Sequence, residues 1–132
     1  MSTIKAANVQ NTGSGAPTFK NSSGTEIGQL AKAWINFNGT GTIAIRDSFN
    51  VSSISDLATG EYAINFTNSM ADTNYCFNCS SGATFNVDVH VFNNVSQANM
   101  ETGTIRVGCR YSSSDHQHQR DCEIVCVTIF QN

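Results

Sequence analysis

The chain has 132 residues, the size of one domain with a core of its own. Only 13% of them are charged and the net charge is −3, so there is no basic field to hold nucleic acid or an anionic membrane. No apolar run reaches the length of a membrane span and no signal-peptide core opens the chain, the expectation being synthesis in, and no export from, the producing cell's cytoplasm.

Residues 1–28 hold little core material: Ile4, Val9, Phe19 and Ile27 are the large apolar side chains after Met1, and Gly13-Ser14-Gly15-Ala16-Pro17 interrupts any regular element. We expect an extended N-terminal arm there, with Ile4, Val9 and Phe19 as spaced anchors, and a β domain over residues 29–132. Residues 29–34 are too few for a helix. Ala33, Ile35 and Phe37 then share one parity, with Trp34, Asn36 and Asn38 on the other, the period of a strand. Asn38-Gly39-Thr40-Gly41 tolerates the positive φ of a short hairpin turn. Ile43 and Ile45 point one way, and Thr42, Ala44 and Arg46 the other. Phe49 and Val51 continue an alternation that breaks at Ser52-Ser53, where a bulge or bend is predicted. After the turn at Thr59-Gly60, Tyr62, Ile64 and Phe66 resume the two-residue beat.

Residues 75–79 read as a short strand that Ser80-Ser81-Gly82 ends. Residues 84–92 alternate clearly, Phe85, Val87, Val89 and Val91 against Asn86, Asp88 and His90, so one face is buried and one is wet. Residues 93–103 are polar and loop-like. Ile105, Val107, Cys109 and Tyr111 then face inward along a further strand. In the last strand, 122–130, Val125, Val127 and Ile129 form one face, and Cys122, Ile124, Cys126 and Phe130 the other. Both are apolar, which predicts a cover on each side. Pairing the last two strands with Cys109 opposite Cys122 sets Arg110 against Asp121, Val107 against Ile124 and Ile105 against Cys126. That register predicts a hairpin whose tip is 112–119.

The stretches KAWINFNGTGTIAIRDSFNVSSI and GEYAINFTNSMADTNY resemble, at the level of short words from about Lys32 to Tyr75, a domain of bacteriophage tail-fibre or tail-associated proteins, especially in phages of marine bacteria and cyanobacteria. The opening TIKAANVQNTGSGAPTFKNSSG is similar to the segment that begins many such fibre pieces, and past Tyr75 the likeness fades into short strands. The resemblance implies a virion structural role, a threefold assembly and no catalytic residues.

Few residues offer chemistry. Cys76-Phe77-Asn78-Cys79 is one half of a zinc pattern, but Cys109, Cys122 and Cys126 supply no second close pair. Cys122 and Cys126 would lie about 13 Å apart along a strand, too far to share a metal. The cysteines therefore read as small buried hydrophobes, with Cys109 and Cys122 the pair best placed for a disulfide. His116-Gln117-His118 would project two imidazoles from one strand face, and three chains around an axis would offer six nitrogens. This is similar to His-x-His metal sites of some phage fibres and spikes, but a single such motif is weak, and the preferred reading is a solvated hairpin tip. Asp47, Asp56, Glu61 and Asp88 are scattered, and neither a Gly-x-Ser-x-Gly elbow nor a phosphate loop occurs. Sequons at Asn21, Asn50 and Asn65 follow from a composition with 15 Ser, 13 Thr and 15 Asn.

The expected fold is all-β, an antiparallel sandwich or compact barrel-like meander with an extended N-terminal arm. The expected protein is non-enzymatic, binds no metal or cofactor, and is a phage tail fibre or fibre-tip domain that attaches the virion to its bacterial host. A head-decorating fibre or baseplate connector is the alternative, and a glycan-degrading tailspike a more distant one. Expected partners are two further copies in a homotrimer, other tail or virion proteins, and a host surface glycan or outer-membrane receptor; nucleic acid and membrane insertion are not expected. The polar loops at 93–101 and 112–119 are the expected contact surfaces.

Overall fold

The structure, a computed structural model, describes residues 6, 8–10, 17–82, 89–92, 99–112 and 117–131, with the side chains of 89–92, 111, 112 and 117 outside the description. The fold is all-β and antiparallel, as expected. The chain divides into two compact units, Met1–Leu30 and Ala31–Asn132.

The first unit carries a hairpin that the sequence reading did not foresee, β1 (Phe19–Lys20) paired with β2 (Glu26–Gly28). Its turn is built by Asn21, whose side-chain oxygen accepts from the N–H groups of Ser23 and Thr25, both at 3.0 Å. Short polar side chains commonly organise a turn in this way. Val9 and Phe19, two of the three expected anchors, are exposed; Ile4 lies outside the described residues.

In the second unit one sheet runs β4-β3-β11-β7, from β3 (Ala33–Asn38), β4 (Ala44–Phe49), β7 (Cys76–Gly82) and β11 (Ile124–Phe130). The other runs β10-β9-β6-β5, from β5 (Val51–Ala58), β6 (Glu61–Phe66), β9 (Thr104–Ser112) and β10 (Gln117–Gln119), with β8 (Val89–Phe92) also pairing with β9. Alternation sends one face of each central strand inward. Ala33, Ile35 and Phe37 of β3 and Val125, Val127 and Ile129 of β11 meet Tyr62, Ile64 and Phe66 of β6 and Ile105, Val107 and Cys109 of β9 in one core. Each large side chain buried there contributes about 1.5–3 kcal/mol. Phe37 meets Tyr62 edge to face across the sheets with ring centres 5.1 Å apart, and Phe66 meets Tyr75 at 6.2 Å. Such geometry adds about 0.5–1.5 kcal/mol beyond burial.

The chain changes sheets at Asn50, which separates β4 from β5 and has a φ of 56°. Its amide holds the corner. Nδ2 donates to Lys32 O (3.0 Å) and Asn68 O (3.1 Å), while Oδ1 accepts from Asn68 N–H (2.8 Å). The predicted bulge follows: Val51 pairs with Phe66 but Ser53 with Asn65, so Ser52 has no partner. A second bulge, not predicted, leaves Arg46 unpaired between Asn36↔Asp47 and Phe37↔Ile45.

Three expectations are corrected. Ser80-Ser81-Gly82 does not end a strand, because β7 continues to Gly82 along its ladder with β11. The hairpin of β9 with the last strand does not form. β9 returns into β10 with Tyr111 opposite His118 and Arg110 opposite Gln119, while β11 pairs with β3 and β7 in the other sheet. The reason is that alternation marks a buried face without saying whether the matching apolar strand lies beside it or across from it. The chain uses residues 120–123 to cross between sheets, which interrupts the expected parity and leaves Cys122 fully buried, off the outer face of β11.

Candidate functional site

Three regions could carry function: the two ends of the sandwich and the outer face of the β4-β3-β11-β7 sheet. At the end reached by the turn after β5, Asp121 and Tyr62 form a polar lock. The Tyr62 hydroxyl, on a fully buried ring, donates to Asp121 Oδ1 (3.0 Å) and Gly39 O (3.1 Å). Asp121 Oδ1 also accepts from Gly60 N–H at 2.7 Å. Burial first, and then the bond to Asp121, pushes the Tyr62 phenol well above its ordinary 10.0. Two glycines permit this arrangement. A Cβ on Gly39 would stand 2.8 Å from Tyr62 Cζ, and one on Gly60 would stand 2.6 Å from Cys109 O. Gly60 also has φ +69°, which side chains rarely adopt. Gly39 had been read as a turn former, yet its role is to admit the tyrosine.

Beside the lock, Asp56, Leu57, Ala58, Thr59 and Asp121 line an open, shallow cleft of about 290 Å³. Glu61 receives the side-chain amide of Gln119 and lies 4.0 Å from the Arg110 guanidinium. Arg110 thus faces Glu61, where the sequence had suggested Asp121. Asp47 accepts from the N–H of Ser48 at 2.8 Å, out on β4. Asp88 lies outside the described residues. Asp121 is thus engaged by structural donors and Glu61 by Gln119, while Asp56 lines the open cleft.

The opposite end is tied by Tyr75. Its hydroxyl donates to Glu101 O at 3.1 Å, and burial pushes its pKa up to about 12. Met70 N–H donates to Thr102 O at 2.8 Å, which fixes the stem of the segment entering β9. The two expected contact loops therefore flank opposite ends of β9. From Ile105 to Ser112 the strand rises about 23 Å, which separates the described ends of the two segments. Residues 93–98 and 113–116 themselves lie outside the described residues.

The outer sheet face carries an apolar group that sequence reading found only in part. Trp34, half-buried, stands opposite exposed Phe49 on β4 and opposite Thr128 on β11; exposed Phe130 follows two residues along and pairs with Cys76. Exposed Ile124 lies on the same face of β11. Trp34 and the second apolar face of β11 had been noted from parity. Phe49 joins them only through the β3–β4 register, a long-range fact. The side chain of Phe92, on the polar parity of its strand, lies outside the described residues.

The cysteines do not form a chelate. Cys76 and Cys79 sit three residues apart on β7 and so point to opposite faces, Cys76 exposed and Cys79 against the core, where burial pushes its thiol up to about 12. His118 is exposed on β10 and His116 lies outside the described residues, so the His-x-His reading stays with the sequence. Among the described residues no group of three or more His, Cys, Asp or Glu is arranged to hold a metal, and no helix is long and apolar enough to cross a membrane. Comparison with protein-family models, curated proteins and solved structures finds no match.

Proposed function

We propose that this chain is a virion structural protein of a bacteriophage, a tail fibre or fibre-tip domain through which the particle attaches to its bacterial host. The observation that carries the reading is the resemblance over residues 32–75. That segment forms β3 to β6, one central and one edge strand of each sheet, so it supplies half of the core. The protein acts by assembly and adhesion and not by catalysis, a reading supported by Asp121 being held by the Tyr62 hydroxyl and the Gly60 N–H. It is made in the host cytoplasm and resides in the tail, where it meets other tail proteins and a surface glycan or outer-membrane receptor. One of the two polar loop regions, at one end of the sandwich, makes that contact.

The assembled form is a homotrimer, and the outer face bearing Trp34, Phe49, Ile124 and Phe130 is its contact. Apolar groups at this density on a sheet face are characteristic of an interaction surface. Mass spectrometry of gradient-purified particles tests the virion assignment: peptides of this chain co-purify with the particles, and their absence refutes it. Sedimentation equilibrium tests the assembly. A species of three 14.2-kDa chains is expected, and a stable monomer at micromolar concentration, with Trp34 open to quencher, refutes it.

A further inference from the structure

Two buried thiols, one on a strand and one on the segment that crosses between the sheets, belong to one core. Cys109 is on the inner face of β9 and Cys122 lies in the crossing segment before β11; both are fully shielded from solvent. Backbone hydrogen bonds fix their approach. Arg120 N–H donates to Cys109 O at 3.1 Å, Cys109 N–H to Gly60 O at 2.7 Å, and Gly39 N–H to Cys122 O at 2.8 Å. The Cys122 S–H donates to Arg120 O at 3.6 Å, in the residue whose N–H holds Cys109 O, so the two buried thiols lie close enough to act on one another. Of the remaining cysteines, Cys76 and Cys126 alternate to the outer face, and Cys79 packs against the same core from β7. The hairpin expected from sequence would have made Cys109 and Cys122 neighbours along a ladder. The structure makes them neighbours across the core.

We propose that Cys109 and Cys122 are an oxidisable pair that closes into a disulfide joining the two sheets, with a peroxide as oxidant. The Cys122 thiolate attacks one peroxide oxygen, the O–O bond breaks, hydroxide leaves and a sulfenic acid forms. The Cys109 sulfur then attacks Cys122 Sγ, the S–O bond breaks and water leaves. Two thiols and one hydrogen peroxide give one disulfide and two waters. Contact with Cys109, and then Ser81 and Arg120, lowers the Cys122 thiol while burial opposes them, and the first attack is assigned to Cys122. The bond closes a loop of about 14 residues and so restricts the unfolded chain. This inference is independent of the proposed function.

The test treats the full chain with graded hydrogen peroxide, blocks free thiols under denaturing conditions and maps tryptic peptides. Cleavage after Arg106, Arg110 and Arg120 releases Cys109 in residues 107–110 and Cys122 in residues 121–132. The expected product is those two peptides linked, with a mass loss of about 2 Da per chain, and a thermal midpoint raised by roughly 10 °C. Dithiothreitol reverses both. Because residues 121–132 also contain Cys126, Cys126→Ser must retain the link, whereas Cys109→Ser and Cys122→Ser must lose it. If either of the last two fails to fold, the wild-type and Cys126→Ser maps decide alone. A link that involves Cys79 or Cys126, or Cys109 and Cys122 both still blockable when exposed Cys76 is fully oxidised, overturns the proposal.

Discussion

Tyr62→Phe removes one oxygen atom from the polar lock at one end of the sandwich. The ring stays: its edge-to-face contact with Phe37 at 5.1 Å needs no hydroxyl, and the volume change is small. What is lost is the donor that joins Asp121 (3.0 Å) and Gly39 O (3.1 Å), residues from two different connections at one end of the sandwich. A hydrogen bond to a charged group is worth about 1.5–3 kcal/mol. Asp121 keeps the N–H of Gly60, at 2.7 Å, so its carboxylate is not stranded. The expected cost is therefore about 2–3 kcal/mol, to be read as a lower urea midpoint at unchanged slope. The cycle of Tyr62→Phe with Asp121→Ala should show about 1–2 kcal/mol of coupling, because each single change already breaks the shared bond. A cost below about 0.5 kcal/mol, or strict additivity, would refute the lock.

Gly60→Ala should destabilise by roughly 2 kcal/mol or more, since φ is +69° and the new Cβ would lie 2.6 Å from Cys109 O; an urea midpoint within error of wild type contradicts this. Asn50→Ala should cost about 2–3 kcal/mol by thermal or urea unfolding, from a left-handed corner at φ 56° that loses its bonds to Lys32 and Asn68. Stability should also fall in alkali. Burial raises the phenols of Tyr62 and Tyr75 above 10.0, Tyr75 to about 12, so the unfolded chain ionises first. Their contribution is complete below pH 10 and is lost as pH rises further, by about 1.4 kcal/mol per pH unit for each. Urea midpoints between pH 8 and 11.5 check this; Tyr75→Phe should flatten the decline, and a level profile in the wild type would contradict it.

The inner faces were legible in the sequence because alternation is local. Ala33, Ile35 and Phe37, then Tyr62, Ile64 and Phe66, then Val125, Val127 and Ile129 each declare a buried parity within a few residues. The bulge at Ser52 was legible for the same reason, as a break in a beat. Pairing was not. β9 and β11 present equally apolar inner faces, and nothing in Ile105, Val107 or Val127 tells a neighbour in one sheet from an opponent in the other. The short return strand at Gln117–Gln119 is polar and carries no apolar beat of its own. Tyr62 and Asp121 are brought together by the crossing at residues 120–123, which no short window contains. The outer aromatic group was half legible. Trp34 and Phe130 stood out on parity, while Phe49 needed the register of β4 to place it beside them.

The central claim is that this chain is part of a phage tail. Antibodies raised against the folded protein and coupled to gold, applied to intact particles of the phage that encodes it, test that claim in one micrograph series. The account predicts gold along or at the end of the tail, at positions repeated from particle to particle. Gold confined to the head, or bare particles beside labelled free protein, would contradict it.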